Sequence, residues 1–304
     1  MKKSITATLL AGLLCLSTLA GCSQTGGTSS AAGTQSANGT DAGKTKPTIQ
    51  IGYVNWSEDI AMTNLMEAIL EDKMGYKVKQ VQTDVAPLFA SLASGGTDVF
   101  LDCWLPVTHK DYIAKYGSEL KDYGVSFDNA KIGLVVPSYV DIDSIDQLNA
   151  NKDKFDGTIV GIDSGAGIMT TTDKALKEYG LNYKLMPGSG PTMTAALKKA
   201  IDQKKPIVVT GWQPHWMFAK WDLKFLKDPK GVYGSAESIH KLSRKGLEKD
   251  APEVAEFLTK FKMTSDQLGD LMSAVEDSDK PLEAARKWMN DHADPVKEWL
   301  PAKS

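Results

Sequence analysis

The sequence predicts an α/β protein with two similar lobes, each a mostly parallel sheet with flanking helices. Strand-like and helix-like runs alternate through the first two thirds of the folded part, and this order is typical of parallel sheets covered by helices. The same order occurs twice, because aligning Gly52 with Gly161 places Trp104 opposite Trp212, and both follow apolar strands. In such sheets ligands bind beyond the carboxyl ends of the strands. We therefore expect a ligand site in the cleft between the lobes.

The first copy of this unit is predicted to contain strands at residues 48–55, 76–82 and 97–102. A helix at 58–74 is indicated by Ile60, Leu65 and Ile69, which recur on one helical face. A second helix is expected to begin near Asp84, with Pro87 in its first turn, where proline is tolerated.

The second copy is predicted to contain strands at 158–163, 183–186 and 206–210, with helices at 167–179 and 191–203. Short strands are expected at 223–226 and 239–243. Amphipathic patterns then predict four helices, at 251–261, 265–275, 281–290 and 294–300. We expect these last elements to complete the first lobe. The predicted organisation of the folded part is lobe 1 at 47–137, lobe 2 at 138–232, and a returning segment at 233–304.

The amino terminus has the pattern of a secretory signal. Lys2 and Lys3 precede a short apolar run that ends in Leu-Ala-Gly-Cys22. That ending resembles the lipobox of bacterial lipoproteins, which implies removal of residues 1–21 and acylation of Cys22. Residues 22–46 lack aromatic and branched aliphatic side chains, so they are predicted to be a flexible tether. The expected location is extracytoplasmic, with a lipid anchor as the only membrane attachment.

Composition excludes several classes of function. The chain carries a net charge of −3 at pH 7 and has no basic block, so we expect no nucleic-acid partner. After Cys22 the only cysteine is Cys103, so no intrachain disulfide is expected, and its apolar surroundings predict a buried side chain. No metal, cofactor or nucleophile motif is recognisable. An enzyme is therefore disfavoured, and no cofactor is expected.

Three tryptophans occupy equivalent places in the predicted fold. Trp56, Trp104 and Trp212 each follow a strand, at the edge that faces the predicted cleft. Any one of them could be a core residue, but three at the same kind of position favour a binding role. A quaternary ammonium ion has no N–H to donate, and indole faces attract its charge and its methyl groups. Three such contacts of about 2 kcal/mol each fall short of the roughly 8 kcal/mol that micromolar binding requires.

The remaining affinity is expected from an anionic group at the other end of the ligand. Gly165-Ala-Gly167-Ile168 begins the predicted helix of the second lobe, and the first amides of a helix bind anions. We expect a carboxylate at Gly167 and Ile168, although the glycines could instead serve only a tight turn. His109 could add a donor, or it could be a surface histidine at a helix start. A cationic head and a carboxylate together describe a betaine.

The chain resembles the glycine betaine receptors of osmoprotectant ABC importers, the OpuAC type. The matching segments are GYVNWSEDIA, LDCWLPVTHKDY, KIGLVVPSY, GIDSGAGIM, VVTGWQPHWMFAKWDL and DPKGVYGSAESIH. The resemblance implies a two-lobed fold of the periplasmic-binding-protein type (type II). It also implies an ammonium cage at Trp56, Trp104 and Trp212, and carboxylate binding at Gly167, Ile168 and His109. A monomer that closes on its ligand and docks on a permease driven by an ATPase is the implied mode of action.

Other ligands and roles stay open at this stage. Proline betaine, carnitine and choline would all suit an indole cage. Choline lacks a carboxylate, and a site for it would be expected to place an acid near the cation. No such acid is obvious beside the tryptophans, which favours betaines. A ligand sensor that signals to a membrane partner would have the same site.

Overall fold

The computed structural model describes residues 46–302. Within that range the strands are β1 Thr48–Tyr53, β2 Lys77–Gln82, β3 Val99–Leu105, β4 Leu120–Pro137, β5 Thr158–Val160, β6 Lys184–Met186, β7 Val209–Gln213, β8 Leu223–Phe225 and β9 Glu237–Arg244. The α-helices are α1 Ser57–Asp72, α2 Val85–Ser94, α3 Lys110–Tyr116, α4 Gly167–Glu178, α5 Gly190–Asp202, α6 Met217–Lys220, α7 Leu247–Asp250, α8 Pro252–Lys260, α9 Ser265–Glu276, α10 Pro281–Asp291 and α11 Ala293–Trp299. The predicted signal segment, Cys22 and nearly all of the tether lie outside the described residues.

The strands form two similar half-sheets that meet at β4. Their order is β2-β1-β3-β9-β4-β7-β5-β6, with β8 paired to β4. In the first half β1 lies between β2 and β3, and in the second half β5 lies between β6 and β7. These pairs are all parallel, and β9, β4 and β8 add antiparallel neighbours. The predicted repeat of strand, helix, strand, helix and strand is therefore confirmed.

Strand β4 joins the two halves, and the sequence analysis did not predict it. Its residues from Leu120 to Ala130 pair with β9, whereas those from Lys131 to Val135 pair with β7. Its burial pattern changes from mixed to fully buried along its length, so no single period marks it as a strand. We place the lobe boundary at this change of partner, which is earlier in the chain than the expected boundary at 137. The chain returns to the first half-sheet at β9.

Strands β3 and β7 extend further than predicted. Trp104 lies inside β3 and pairs with Ile239, and Trp212 lies inside β7 and pairs with Ile132. Each ladder continues because an antiparallel partner runs alongside it, and that partner comes from a distant part of the chain. The two tryptophans are consequently held by backbone hydrogen bonds close to the strand end, instead of in the loop that follows.

Two of the C-terminal helices pack against α1, which itself packs on strands β1, β2 and β3. Helices α9 and α10 pack against α1, and Arg286 of α10 forms ion pairs with Glu71 and Asp72 of α1. Helix α1 is buried along most of its length as a result, although its sequence is only weakly amphipathic. Within residues 46–302 no helix has the length and apolar character needed to cross a membrane.

Candidate ligand-binding site

Trp56, Trp104 and Trp212 converge on one cavity between the two half-sheets. All three side chains are buried, and the cavity has an empty volume of about 290 Å³. We call these three residues the tryptophan cage. The other residues that line the cavity are Glu58, Thr108, Ile132, Ile162, Ala166, Gly167 and Ile168. Two predicted groups, the indoles and the start of α4, therefore share one small and largely apolar cavity.

The position of each indole follows from the element that carries it. Trp56 precedes α1 and lies three residues after the end of β1, and Trp104 and Trp212 are the penultimate residues of β3 and β7. The first and second half-sheets are related by the repeat, so their carboxyl edges face each other across the cavity. The sequence prediction that the three indoles come together is therefore met by the geometry.

Each indole of the cage donates its N–H to a carboxylate. The donor–acceptor distances are 3.2 Å from Trp56 Nε1 to Asp163 Oδ2, 3.0 Å from Trp104 Nε1 to Asp102 Oδ1, and 2.7 Å from Trp212 Nε1 to Glu58 Oε2. A buried indole N–H without an acceptor would cost free energy, so these bonds satisfy the one polar atom of each ring. They also fix the plane of each ring without occupying its faces.

Three of the carboxylates near the cage are fully buried. Desolvation raises the pKa of Glu58 and of Asp59 well above the ordinary range, and the neighbouring Asp102 adds to the rise in both. Burial also raises the pKa of Asp102, to about 7. The expectation that no acid lies beside the tryptophans was wrong, because Glu58 lines the cavity itself. That expectation had supported betaines over choline, and it no longer does so.

The start of α4 offers unpaired amides to the same cavity. Gly167 and Ile168 are its first two residues, whose N–H groups have no carbonyl partner one turn earlier in the helix. The preceding residue is Ala166, which has no side-chain oxygen to cap the helix and makes no cap bond. The helix N-terminus therefore keeps its partial positive charge available to an anionic group.

His109 is fully buried next to the cage, so the alternative of a surface histidine is wrong. Its Nδ1 accepts the backbone N–H of Trp104 at 3.0 Å, and its ring stacks on Trp56 with centroids 5.8 Å apart. Burial lowers the pKa of His109 to about 3, so the ring is neutral at pH 7 and carries its proton on Nε2. That Nε2 has no hydrogen-bond partner among the described residues. His109 stacks on Trp56 but is not among the residues that line the cavity, so a carboxylate role for its Nε2 stays a prediction.

The two lobes are in close contact around the cavity. A Cβ atom placed on Gly167 would lie 2.0 Å from the backbone oxygen of Thr108, so only glycine permits this approach. Tyr112 donates its hydroxyl to the backbone oxygen of Gly165 at 2.8 Å. Gly165 and Gly167 lie in the second lobe, and Thr108 and Tyr112 lie in the first. The structure is thus a closed arrangement of the lobes.

The other four tryptophans do not line this cavity. Trp216 and Trp221 pack edge to face, with ring centroids 5.3 Å apart. Trp288 and Trp299 are buried among the C-terminal helices, as their amphipathic patterns predicted, and Trp299 packs on Phe261. Cys103 is buried, as its apolar surroundings predicted.

The sequence analysis missed the polar residues that hold the cage. Asp102 lies in the strand VFLDCWL, where a single acid among apolar side chains was a usable signal. Glu58 lies two residues after Trp56, on a helix that is otherwise largely buried. Ile132 and Thr108 gave no signal, because their proximity to the cavity depends on pairing between distant segments.

Two α/β lobes closed over a small aromatic cavity define a ligand-binding receptor. Residues 47–291 match the family described as the substrate binding domain of the ABC-type glycine betaine transport system, and the chain belongs to that family, OpuAC. The family consists of transport substrate-binding proteins, not of enzymes.

Similar proteins bind related ligands, according to their names. The glycine betaine/carnitine transport binding protein GbuC of Listeria monocytogenes is 48% identical over 157 residues, which are 50% of this chain and 52% of that protein. The chain thus matches about half the length of this curated relative.

Solved structures of similar proteins share the fold over most of their length. The glycine/betaine/L-proline-binding protein ProX of Borrelia burgdorferi is 36% identical with a TM-score of 0.80, covering 84% of this chain and 97% of that one. Lactococcal OpuAC, in its closed form with glycine betaine, is 39% identical with a TM-score of 0.78, covering 84% and 100%. A choline binding protein in complex with choline is 26% identical with a TM-score of 0.76, covering 83% and 91%.

Proposed function

We propose that this protein captures glycine betaine outside the cytoplasm for an ABC permease and its ATPase. The tryptophan cage would hold the trimethylammonium group through cation–π contacts and methyl burial. The amides of Gly167 and Ile168, together with His109 Nε2, would bind the carboxylate. The observation that supports this most directly is the convergence of three buried indoles on a cavity that also contains an uncapped helix N-terminus.

Calorimetric titration of residues 23–304 with glycine betaine tests this proposal. We expect saturable binding of the betaine and none of glycine, which has the carboxylate but not the methyl groups. Proline betaine and carnitine present the same two features and are expected to bind with their own affinities. Absence of binding by all methylated ammonium compounds would overturn the proposal.

Choline is a second candidate, and the position of Glu58 in the cavity lining favours it. Because burial raises the pKa of Glu58, its carboxyl group suits the choline hydroxyl as a hydrogen-bond partner better than it suits the cation as a counter-charge. Against it, the uncapped amides of α4 and the free donor on His109 would have no anion to bind. The same titration separates the two ligands, because tighter binding of choline than of betaine would favour the second candidate.

We also propose that the mature chain is anchored by lipid on Cys22 and is otherwise attached to the membrane only through its permease. The support is the Leu-Ala-Gly-Cys22 sequence and the polar composition of residues 23–46. Labelling with a radioactive fatty acid in the producing bacterium tests this. Incorporation should be lost in Cys22→Ser, and equal labelling of this variant would contradict the proposal.

A further inference from the structure

The three hydrogen bonds that orient the cage are not equivalent. Trp104 and its acceptor Asp102 lie on the same strand, so their bond exists whether the lobes are open or closed. The other two bonds cross the cleft. Trp56 in the first lobe donates to Asp163 in the second, and Trp212 in the second lobe donates to Glu58 in the first.

We propose that Asp163 and Glu58 are positioning residues that assemble the tryptophan cage when the lobes close. Each lobe supplies one of the two indoles that bond across the cleft, together with the acidic side chain that orients the other. Trp56 and Trp212 therefore gain their final acceptors only in the closed form, whereas Trp104 is oriented beforehand. This inference rests on the proposed function, because it assumes that the cage receives a quaternary ammonium ion.

The chemistry of the indole explains why such bonds would matter to the ligand. A cation is attracted to the ring face, and the attraction depends on the direction in which that face points. A carboxylate at the ring N–H fixes this direction without occupying the face. The hydrogen bond from Trp56 also couples ligand binding to lobe closure, because the same ring would contact the cation and the opposite lobe. Loss of the acceptor should therefore speed ligand release more than it slows binding.

Asp163 is the better residue to change, because it is partly exposed whereas Glu58 is fully buried. Asp163→Ala removes the acceptor for Trp56, and Asp163→Asn keeps an oxygen that can accept the indole N–H. A matched control exists far from the cavity. Trp288 donates its indole N–H to Asp270 at 3.0 Å, so Asp270→Ala breaks the same kind of bond among the C-terminal helices.

The test combines calorimetry with stopped-flow fluorescence for glycine betaine, using residues 23–304. In Asp163→Ala we expect a dissociation constant at least about tenfold higher, with most of the change in the release rate and the melting temperature unchanged. Asp163→Asn should restore most of the affinity, and Asp270→Ala should bind like the wild type. In nitrogen-15 spectra the indole resonance of Trp56 should shift on ligand addition in the wild type and much less in Asp163→Ala.

The outcomes separate this inference from the proposed function. If the wild type binds betaine and Asp163→Ala binds it with equal affinity and release rate, the inference is overturned and the proposed function stands. Loss of affinity in Asp163→Ala that Asp163→Asn does not restore would also overturn it. If the wild type binds no methylated ammonium compound, both statements fail together.

Discussion

Tryptophan serves this site because its side chain has two separate bonding surfaces. The N–H edge of each cage indole is bound by an acidic side chain, and this bond does not occupy the ring face that meets the cavity. Phenylalanine would offer a face without an anchor for its orientation. A tyrosine hydroxyl extends from the end of its ring and would reach different partners. Under the proposed function, one residue type therefore supplies both the orientation and the cation affinity of the tryptophan cage.

Removal of one cage indole should weaken ligand binding strongly. In Trp104→Ala the loss of a desolvated cation–π contact of about 2 kcal/mol corresponds to a roughly 30-fold higher dissociation constant for glycine betaine. Trp299→Ala is the matched control, because Trp104 and Trp299 are 3% and 4% exposed and their removal should cost similar stability. Calorimetry on both variants measures the difference. Equal affinities in the two variants would refute the cage assignment.

Gly167 is required for closure more than for folding. In Gly167→Ala the new methyl group would meet the backbone of Thr108, which cannot move aside as a flexible side chain could. We expect affinity for betaine to fall at least about tenfold, equivalent to 1.4 kcal/mol. Stability should be unchanged or slightly higher, because alanine is a better helix former.

Gly269→Ala in α9 is the control for this prediction. A Cβ atom there would meet no neighbour within 4 Å. The substitution therefore favours the helix in the same way but causes no steric clash. Both variants are compared by calorimetry and by thermal unfolding. Wild-type affinity in Gly167→Ala would show that the approach to Thr108 is not needed for binding.

At the scale of elements, the loop after β3 is fixed by one buried acid. Glu237, the first residue of β9, accepts the backbone N–H groups of Val107 and Thr108 at 2.8 Å each. It also accepts the hydroxyl of Thr108 at 2.5 Å. This loop connects Trp104 to His109, so a residue more than a hundred positions away sets the geometry at both ends of the expected ligand.

Glu237→Gln should loosen this loop. The amide nitrogen cannot accept the Thr108 hydroxyl, and the amide oxygen accepts the two backbone N–H groups more weakly than a carboxylate does. We therefore expect a loss of about 1–3 kcal/mol in the free energy of unfolding and weaker betaine binding. Urea unfolding and calorimetry measure the two effects. Glu283→Gln, which changes an exposed ion pair with Lys280, should alter neither. An unchanged affinity in Glu237→Gln would show that the loop is held by other contacts.

The elements that sequence could predict are those with local patterns. The alternation of strands and helices and the repeat predicted the half-sheets, and helices α8 to α11 lie within a few residues of their expected bounds. Strand β4 could not be predicted, because its character depends on β9 and β7. The same limit applies to the cage. Trp56, Trp104 and Trp212 were identified by their positions after strands, but Glu58 and Asp163 became partners only through contact between the lobes.

At the scale of the whole molecule, buried ionisable groups around the cleft make stability depend on pH. Burial lowers the pKa of His109 and of His215 to about 3 each. Below about pH 6.5 these histidines bind protons in the unfolded chain but not in the folded chain. Their contribution to stability is therefore complete above pH 6.5 and is lost progressively as pH falls toward 3.

The buried carboxylates act in the opposite direction. Desolvation raises the pKa of Glu58 and Asp59, and that of Asp102 to about 7, so the folded chain keeps protons that the unfolded chain has released above about pH 4. These carboxyl groups therefore lower the free energy of unfolding as pH rises from about 4 to 7. Between pH 4 and 6.5 the two effects oppose each other, and below pH 4 only the effect of the histidines, of these two, continues. We therefore expect a shallow dependence in the first range and a steep loss of stability in the second.

His215→Asn isolates one of these contributions. His215 Nδ1 accepts the backbone N–H of Met217 at 3.0 Å, and the asparagine side-chain oxygen can take over this bond without titrating. The substitution lowers the free energy of unfolding by an amount that does not depend on pH. It also reduces by one the number of protons that the unfolded state binds in excess of the folded state at acidic pH. The slope of unfolding free energy against pH below 6.5 should therefore change by about 1.4 kcal/mol per pH unit, toward better tolerance of acid. Urea unfolding at intervals from pH 4 to 6.5 measures this slope, and parallel curves for variant and wild type would show that His215 is protonated in the folded protein.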